Sequence, residues 1–366
     1  MIVDCHYHVI QHWVGHCGHS SRELHMKYMQ KMLTRTVAEA YRSQDGAKTD
    51  TRALFSNDDN GWSGLNDVSL RIGRNGQIEF SVDGEDYYIQ YMPVGMQEMV
   101  APPEQMSAQM TYAGVDHCIL QAGGSYGAMN DFHAFTQNQS GSRVTGQMWV
   151  DEPNGGTPEG LAEIERAYGL GLRALFFSGD GFARYGFAWG LDDAQMDPLW
   201  AKMEELGIVL CIEVPAGPTY DKAGYIKNLL ALGTVMDRFP GIQVHVSMGP
   251  PVQHFSADGG WNFPDEVLAV YRRDQLAMEV MFPITWGGRW DYPYPEAQIL
   301  IRGMRDLFGA EKLMWGSDMP NVERFCTYRQ SLEYLRGYCT FLAGSEMDAI
   351  LGGNAVRIYG IGATKA

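Results

Sequence analysis

From residue 103 onward, short apolar runs alternate with segments in which apolar residues recur at helical spacing. The apolar runs have the length of strands and lie at 115–121, 143–150, 172–178, 208–213, 241–247, 276–281 and 312–317. The helical segments lie near 103–113, 128–137, 157–168, 193–206, 224–238, 264–273, 294–308 and 328–342. With a further apolar run at 2–5, this pattern predicts an α/β fold of the (β/α)8 TIM-barrel type. A doubly wound open sheet is the alternative, but no G-x-G-x-x-G motif follows an early strand.

Residues 9–100 interrupt this alternation. We expect a helix at 21–41, capped by Ser20 or Ser21, and then a polar loop at 44–67. Alternating runs at 68–74 and 77–82 flank Asn75-Gly76, which is typical of a tight β-hairpin, and 86–91 would add a third strand. The chain is therefore predicted to be a single barrel domain, 1–366, with 9–100 as an insertion that carries a small β-hairpin element over the barrel mouth.

Composition narrows the class of protein. The 366 residues contain 28 Lys and Arg against 44 Asp and Glu, a formal net charge of −16. This charge argues against nucleic acid or an anionic membrane as a partner, but it does not exclude an anionic small molecule. The sequence has no uncharged apolar run of membrane-spanning length and begins without the pattern of a signal peptide. Six scattered cysteines without a C-x-x-C pair fit reduced thiols in a cytoplasmic protein.

Candidate chemistry begins where the first predicted strand ends. Asp4, His6 and His8 are spaced by two, so on an extended backbone their side chains point to the same side. The apolar run at 312–317 is followed by another carboxylate, Asp318. Imidazole and carboxylate groups are good ligands for borderline divalent metals, and barrel sites gather at the carboxyl ends of the strands. His6, His8 and Asp318 therefore form a candidate metal site.

The two ends of the chain resemble the amidohydrolase superfamily, in particular the amidohydrolase-related branch that includes decarboxylases of the aminocarboxymuconate-semialdehyde type. That branch opens with D-x-H-x-H after its first strand and has G-S-D-x-P after its eighth, as residues 4–8 and 316–320 do here. Residues 350–360 also resemble the last helix of the family. The resemblance implies a barrel with one divalent metal ion, zinc first and manganese second, held by His6, His8 and Asp318.

The sequence departs from the family pattern at two further strands. Strand five of the family usually ends in a metal-binding His, where this chain has Glu213, which is either a replacement ligand or a polar rim residue. The catalytic His of strand six falls on Ser247 or Met248. His245 comes slightly earlier, where it would face either the barrel interior or the surrounding helices, and His254 follows in the next loop. Both are candidates for the missing base.

The resemblance implies a metal-dependent hydrolase that acts on a small, cyclic or aromatic, carboxylated substrate. Metal-activated water would attack an amide, lactone or ring carbonyl, and Asp318 would take the proton. Non-oxidative decarboxylation of an aromatic or dienoic acid is the main alternative, in which Arg324 or Arg173 would bind the substrate carboxylate. A hydratase and a barrel that only binds its ligand are the remaining alternatives.

Aromatic residues are dense at 286–294, after the seventh predicted strand. Trp286 and its neighbours would contact a flat, ring-bearing substrate, or they would form the interface of a dimer. We therefore expect a small-molecule substrate and a homo-oligomer, as a dimer.

Overall fold

Eight parallel strands form the central sheet in the computed structural model, which describes residues 1–33, 39–56, 61–179, 182, 186–214, 221–257 and 259–362. In sheet order, which is also chain order, they are β1 (Val3–Tyr7), β2 (His117–Leu120), β3 (Val144–Met148), β4 (Ala174–Ser178), β5 (Val209–Glu213), β6 (Val244–Ser247), β7 (Leu276–Val280) and β8 (Leu313–Trp315). Neighbouring strands pair in parallel throughout. The predicted α/β fold, a (β/α)8 TIM barrel, is confirmed.

The barrel closes between β8 and β1 through the residues that follow these strands. Tyr7 forms a parallel bridge with Met319. The N–H of His8 donates to the carbonyl oxygen of Met319 at 2.7 Å, and the N–H of Asp318 donates to the carbonyl oxygen of His6 at 2.8 Å. The seam of the barrel is therefore also the place where the candidate metal ligands lie.

Helices surround the barrel, and most agree with the predicted ranges to within a few residues. In chain order they are α1 (Arg22–Leu33), α2 (Pro103–Ala113), α3 (Asn130–Ser140), α4 (Pro158–Gly169), α5 (Asp197–Leu206), α6 (Lys222–Arg238), α7 (Val252–Phe255), α8 (Asp265–Tyr271), α9 (Phe282–Trp286), α10 (Pro295–Phe308), α11 (Tyr328–Arg336), α12 (Gly344–Asp348) and α13 (Asn354–Tyr359). A π-helix, Ala349–Gly353, joins the last two, and a small hairpin, Ser256–Ala257 with Gly260–Trp261, follows α7. The helix predicted to reach residue 342 ends at Arg336, because Gly337 follows and has low helix propensity.

The amino-terminal end of the barrel interior is an apolar core. Inward-pointing side chains of the strands meet the last helix, α13, in one buried cluster made of Val3, Cys5, Ile119, Ala174, Val209, Ala277, Met314, Ala355, Ile358 and Tyr359. The alternate residues of the same strands, such as Val244 and Met278, pack outward against the helices. The last helix therefore closes this end of the barrel.

The insertion contains α1 and a five-stranded antiparallel sheet. In spatial order its strands are Lys48–Asp50, Glu39–Arg42, Glu85–Gln90, Gln77–Val82 and Arg71–Ile72. The predicted hairpin at Asn75-Gly76 is confirmed, and both residues have positive φ, 55° and 80°, as a type I′ turn requires. The third strand predicted at 86–91 is Glu85–Gln90.

Two local predictions within the insertion were wrong. Part of the predicted helix 21–41 is the strand Glu39–Arg42, in which Tyr41 pairs with Tyr88, while 34–38 lie outside the described residues. The predicted loop 44–67 contains the strand Lys48–Asp50. Ala40 is fully buried beneath this sheet. The strand partners are distant in sequence, so tertiary burial overrides the local pattern.

Part of the insertion lies against the carboxyl ends of the strands. The hydroxyl of Tyr28, in α1, donates to Oδ1 of Asp151 at 3.0 Å. Its ring packs against Trp149 and Trp62, with centroid distances of 5.4 and 5.1 Å. Trp149 and Asp151 directly follow β3, so this contact is on the side of the barrel mouth. That the whole of 9–100 covers the mouth stays a prediction.

All six cysteines are free thiols, as the sequence predicts. Within the described ranges, the longest and most apolar helices still fall short of what a membrane crossing requires.

Candidate metal centre

Three buried side chains meet where β1 and β8 end. His6 and His8 are each 2% exposed and Asp318 is 7% exposed. Among the described residues, these three form the one group of His, Cys, Asp and Glu whose ligand atoms lie close enough together to hold a metal ion. The positions of His6 and His8 at the end of β1, and of Asp318 after β8, therefore bring together the residues that the sequence singled out.

Asp4 holds this corner of the barrel without joining the group. Its Oδ1 accepts hydrogen bonds from the N–H of Ser317 at 2.9 Å and of His6 at 3.1 Å, and its Oδ2 accepts the Ser317 hydroxyl at 2.6 Å. Burial raises the pKa of Asp4 to about 6, although these donors act in the opposite direction. Asp4 thus links β1 to the turn that carries Asp318. That turn gives Asp318 a φ of 60°, a left-handed conformation that Asp tolerates better than most residues.

The three ligand atoms converge on one point. Nε2 of His6 lies 3.1 Å from Nε2 of His8 and 3.6 Å from Oδ1 of Asp318, and Nε2 of His8 lies 3.1 Å from the same oxygen. Ligands about 2.0–2.1 Å from a tetrahedral zinc ion are roughly 3.3 Å apart, which matches these spacings. The donor set therefore fits a divalent ion of the zinc type.

The other ring nitrogens fix the tautomers of both histidines. Nδ1 of His6 lies 3.1 Å from Oε2 of Glu279, and Nδ1 of His8 lies 3.1 Å from the carbonyl oxygen of Gln121. Both partners are acceptors, so each Nδ1 is the protonated nitrogen of the neutral ring. The lone pairs on the two Nε2 atoms then face each other, an arrangement that needs a cation or an extra proton between them.

The charges around the group are consistent with cation binding. Burial lowers the pKa of His6, but the carboxylates of Glu279 and Asp318 outweigh it and raise the pKa to about 9. Burial, together with neighbouring His6, lowers the pKa of His8. Burial raises the pKa of Asp318, but His6 and His8 outweigh it and lower the pKa below its ordinary value. The negative charges of Glu279 and Asp318 stabilise a proton on His6, and they would stabilise a metal cation at the same position.

Glu213 and His254 are not part of this group. Glu213 ends β5, half-buried, in register with Ser178 and Ser247 of the neighbouring strands. Its role as a fourth ligand stays a prediction. His254 lies in α7, where its ring packs near Tyr225, and its Nε2 is buried without a hydrogen-bond partner among the described residues. Its role as a base also stays a prediction.

His245 faces the barrel interior rather than the helices, below the level of His6. Its Nε2 lies 2.9 Å from Oε1 of Glu279, and its Nδ1 lies 2.5 Å from the hydroxyl of Tyr359 in α13. It is fully buried, with Nδ1 within hydrogen-bond distance of Tyr359 and Nε2 in close contact with Glu279 but without a hydrogen bond among the described residues. A general base needs a nitrogen within reach of the substrate, so this position does not suit His245 to the role expected from the sequence.

The predicted substrate contacts occupy three different places. Arg173 directly precedes β4, at the end of the barrel opposite to the metal ligands, and its guanidinium donates to the carbonyl oxygens of Tyr168 and Leu172. Arg324 is on the mouth side and helps to line a cleft of about 610 Å³ between the insertion and the segment after β8. Trp286, at the end of α9, stacks on Trp290 with the ring centroids 5.1 Å apart. The structure does not bring Arg173 to the site, and the roles of Arg324 and Trp286 stay predictions.

Several site residues received no role from the sequence, although Glu279 is among the residues at strand ends where candidates are expected. Glu279 is a lone carboxylate within the apolar run of β7, and that contrast was the available signal. Asn321 donates to Oδ1 of Asp318 at 2.6 Å and to the hydroxyl of Tyr126 at 2.9 Å. The ring of Tyr126 stacks on His8 with a centroid distance of 4.1 Å. Tyr126 lies in a turn and Asn321 begins a 3-10 helix of four residues, and both are too short for a periodic pattern to mark a residue as functional.

The fold and these ligands define a (β/α)8 barrel with a His, His, Asp group at its mouth. The amidohydrolase family model matches residues 3–361, so the chain belongs to the amidohydrolase family. This confirms the resemblance seen in the sequence. No curated protein sequence is significantly similar to the chain.

Solved structures with the same fold include enzymes of different reaction types. A probable 2-pyrone-4,6-dicarboxylic acid hydrolase from Acinetobacter baumannii, with citric acid bound, is 15% identical with a TM-score of 0.53, over 72% of this chain and 90% of its own. A dihydroxybenzoic acid decarboxylase from Polaromonas, with manganese and the inhibitor 2-nitroresorcinol, is 14% identical with a TM-score of 0.53, over 73% and 88%. An amidohydrolase from Burkholderia multivorans, with zinc bound, is 15% identical with a TM-score of 0.56, over 73% and 91%. At these identities, the likeness shows the fold.

Proposed function

We propose that this chain is a metal-dependent hydrolase that acts on a small, carboxylated, cyclic or aromatic substrate at the barrel mouth. The observation that supports it is the convergence of Nε2 of His6, Nε2 of His8 and Oδ1 of Asp318 on one point. A single divalent ion, zinc first and manganese second, would supply Lewis acidity and lower the pKa of water for attack on a carbonyl group.

The residues of the chain have separate roles in this proposal. His6 and His8 bind the ion through Nε2. Asp318 stays ionised, because its lowered pKa keeps it a carboxylate at neutral pH, so it accepts the proton released by the attacking water. Asn321 orients that carboxylate through its hydrogen bond to Oδ1. The stacked ring of Tyr126 shields His8 and excludes water from one side of the site.

Decarboxylation of an aromatic acid is the second candidate. The observation that favours it is the position of Arg324, which lines the cleft on the mouth side and is linked to Asn321 by a hydrogen bond from its Nε at 3.2 Å. A guanidinium there is suited to bind a substrate carboxylate. The solved structures of this fold include both hydrolases and decarboxylases, so family membership is compatible with either reaction.

Metal analysis followed by a substrate panel tests the proposal. Elemental analysis of carefully prepared protein should give about one divalent ion per chain. The protein is then incubated with lactones, amides and aromatic acids while acid release and CO2 release are followed separately. Acid release from a lactone or amide supports hydrolysis, and CO2 release supports the second candidate. Full activity in a chelator-treated, metal-free sample would contradict both.

A further inference from the structure

Glu279 is a fully enclosed carboxylate that the proposed reaction does not use. It projects from β7 into the barrel interior, is 1% exposed, and lies between His6 above and His245 below. A charged group buried this deeply is unfavourable unless its partners compensate for the lost water. The groups that contact Glu279 therefore indicate its role.

The upper oxygen of Glu279 holds His6. Its Oε2 lies 3.1 Å from Nδ1 of His6 and accepts the N–H of Met248 at 2.7 Å and the hydroxyl of Ser247 at 3.3 Å. Met248 directly follows β6 and has a left-handed backbone, with a φ of 64°. An ionised carboxylate only accepts hydrogen bonds, so Nδ1 of His6 must be the donor. Nε2 is then the nitrogen left for a ligand.

The lower oxygen of Glu279 is held from the closed end of the barrel. Nε2 of His245 lies 2.9 Å from Oε1, within the distance of an ion pair, although the two atoms are not aligned for a hydrogen bond. Nδ1 of His245 lies 2.5 Å from the hydroxyl of Tyr359, whose oxygen is 3.4 Å from Nε2 of Gln147. Polar contacts thus run from His6 through Glu279 and His245 to the last helix of the chain.

We propose that Glu279 is a positioning residue for the metal centre, and that His245 and Tyr359 fix it from below. Glu279 would hold His6 in the tautomer and ring orientation that present Nε2 to the ion. Its charge, with that of Asp318, would balance the two positive charges of a divalent ion in a buried site. The inference rests on the proposed metal centre, and it adds that the affinity of that centre depends on residues that do not touch the ion.

The test measures metal affinity rather than activity. Zinc is titrated into metal-free, full-length protein in competition with a chromophoric chelator. Glu279→Gln keeps the shape of the side chain but removes its charge, and should weaken zinc binding about 10–100-fold, the usual effect of losing such a partner. Tyr359→Phe removes the hydroxyl that contacts His245. It should weaken zinc binding about 2–5-fold, which is less than the effect of Glu279→Gln. Cobalt(II) absorption spectra of the same variants should shift, because the ring of His6 is no longer held in one orientation.

Val280→Ala is the matched control. Val280 neighbours Glu279 on β7 but is buried on the opposite face, against the surrounding helices. It should lower the thermal midpoint while zinc affinity and the cobalt spectrum stay as in the wild type. If Val280→Ala lost zinc affinity as Glu279→Gln does, in proportion to its loss of stability, the weaker binding would reflect general destabilisation. The positioning role would then be wrong.

The outcomes separate this inference from the function on which it rests. If the wild-type protein binds no zinc, the metal centre is wrong, whatever the variants do. If the wild type binds tightly and Glu279→Gln binds within about 2-fold of it, the centre stands and the positioning role is wrong. If Glu279→Gln does not fold, Glu279→Asp and Tyr359→Phe decide, and wild-type affinity in both contradicts the proposal.

Discussion

The two ends of the barrel interior are built from different chemistry. The amino-terminal end contains small apolar side chains closed off by α13, whereas the carboxyl-terminal end contains His6, His8, Glu279 and Asp318, all buried. The strands β1 and β7 supply both ends, and along each of them the change takes only one or two inward-pointing positions. In β7, for example, Ala277 belongs to the apolar end and Glu279 to the polar end. The apolar end therefore contributes mainly to stability, and the polar end carries the candidate metal site.

The comparison also shows what makes a buried carboxylate usable. Asp4 has only neutral donors around it, and burial raises its pKa to about 6. Burial acts in the same direction on Asp318 and Glu279, but histidines face both, and the pKa of each is lowered below its ordinary value. Imidazole neighbours therefore keep a buried carboxylate ionised, which a metal ligand and a proton acceptor both require.

Removing both imidazoles should have the largest effect on the polar end. We expect His6→Ala with His8→Ala to lose bound metal completely, because one carboxylate does not hold a divalent ion by itself. Elemental analysis of the purified variant measures this. His133→Ala is the control, since His133 is equally buried but lies in α3 and contacts the carbonyl oxygen of Gln147. Metal retained by the double variant would move the centre away from β1.

Asp318→Asn should keep the shape of the site and remove its proton acceptor. We expect kcat to fall by at least about 10²-fold, the lower range for the loss of a general base. Circular dichroism should show a folded barrel, since Asn also accepts the left-handed backbone at this position. Turnover within a few-fold of the wild type would mean that Asp318 is not the base, and His254 would then be tested next.

Metal affinity should rise with pH. In the metal-free protein, the pKa of His6 is raised to about 9, so the ion must displace a proton from this ring at neutral pH. Apparent affinity should therefore increase about tenfold per pH unit between about pH 7 and 9, and level off above. The lowered pKa of His8 leaves that ring already neutral in this range. Zinc competition titrations measure the slope, and a flat profile would contradict the assignment.

The sequence predicted the barrel and its candidate metal ligands for physical reasons that are local. Buried parallel strands show as apolar runs, and ligands that follow such strands must meet at the mouth, so His6, His8 and Asp318 could be named in advance. The positions of His245 and Arg173 could not be derived in the same way. The role of each residue depends on whether it lies at the mouth end or the closed end of its strand. A shift of one or two residues in the predicted strand boundary moves it from one end to the other.

Contacts between distant segments were beyond the reach of the sequence. Glu279 and Tyr359 stand far apart in the chain, and only the closed barrel places His245 between them. The strand Glu39–Arg42 likewise depends on pairing with Glu85–Gln90, which the helix-like local pattern of 21–41 does not show. The pattern of apolar and polar residues predicts most helices and strands. Networks of side-chain contacts form only in the assembled fold, so this pattern does not show them.

A substitution in the apolar end should have the smallest effect, and it should change stability rather than metal binding. Ile119 on β2 is fully buried in the cluster beneath the metal centre. Ile119→Val removes one methyl group and keeps the branched shape that suits a strand, so it should lower the free energy of unfolding by about 0.5–1.5 kcal/mol. Urea unfolding measures this loss, while zinc affinity and kcat should match the wild type. If this substitution altered zinc affinity as strongly as Glu279→Gln, packing in the apolar cluster, and not the contacts of Glu279, would govern the metal centre.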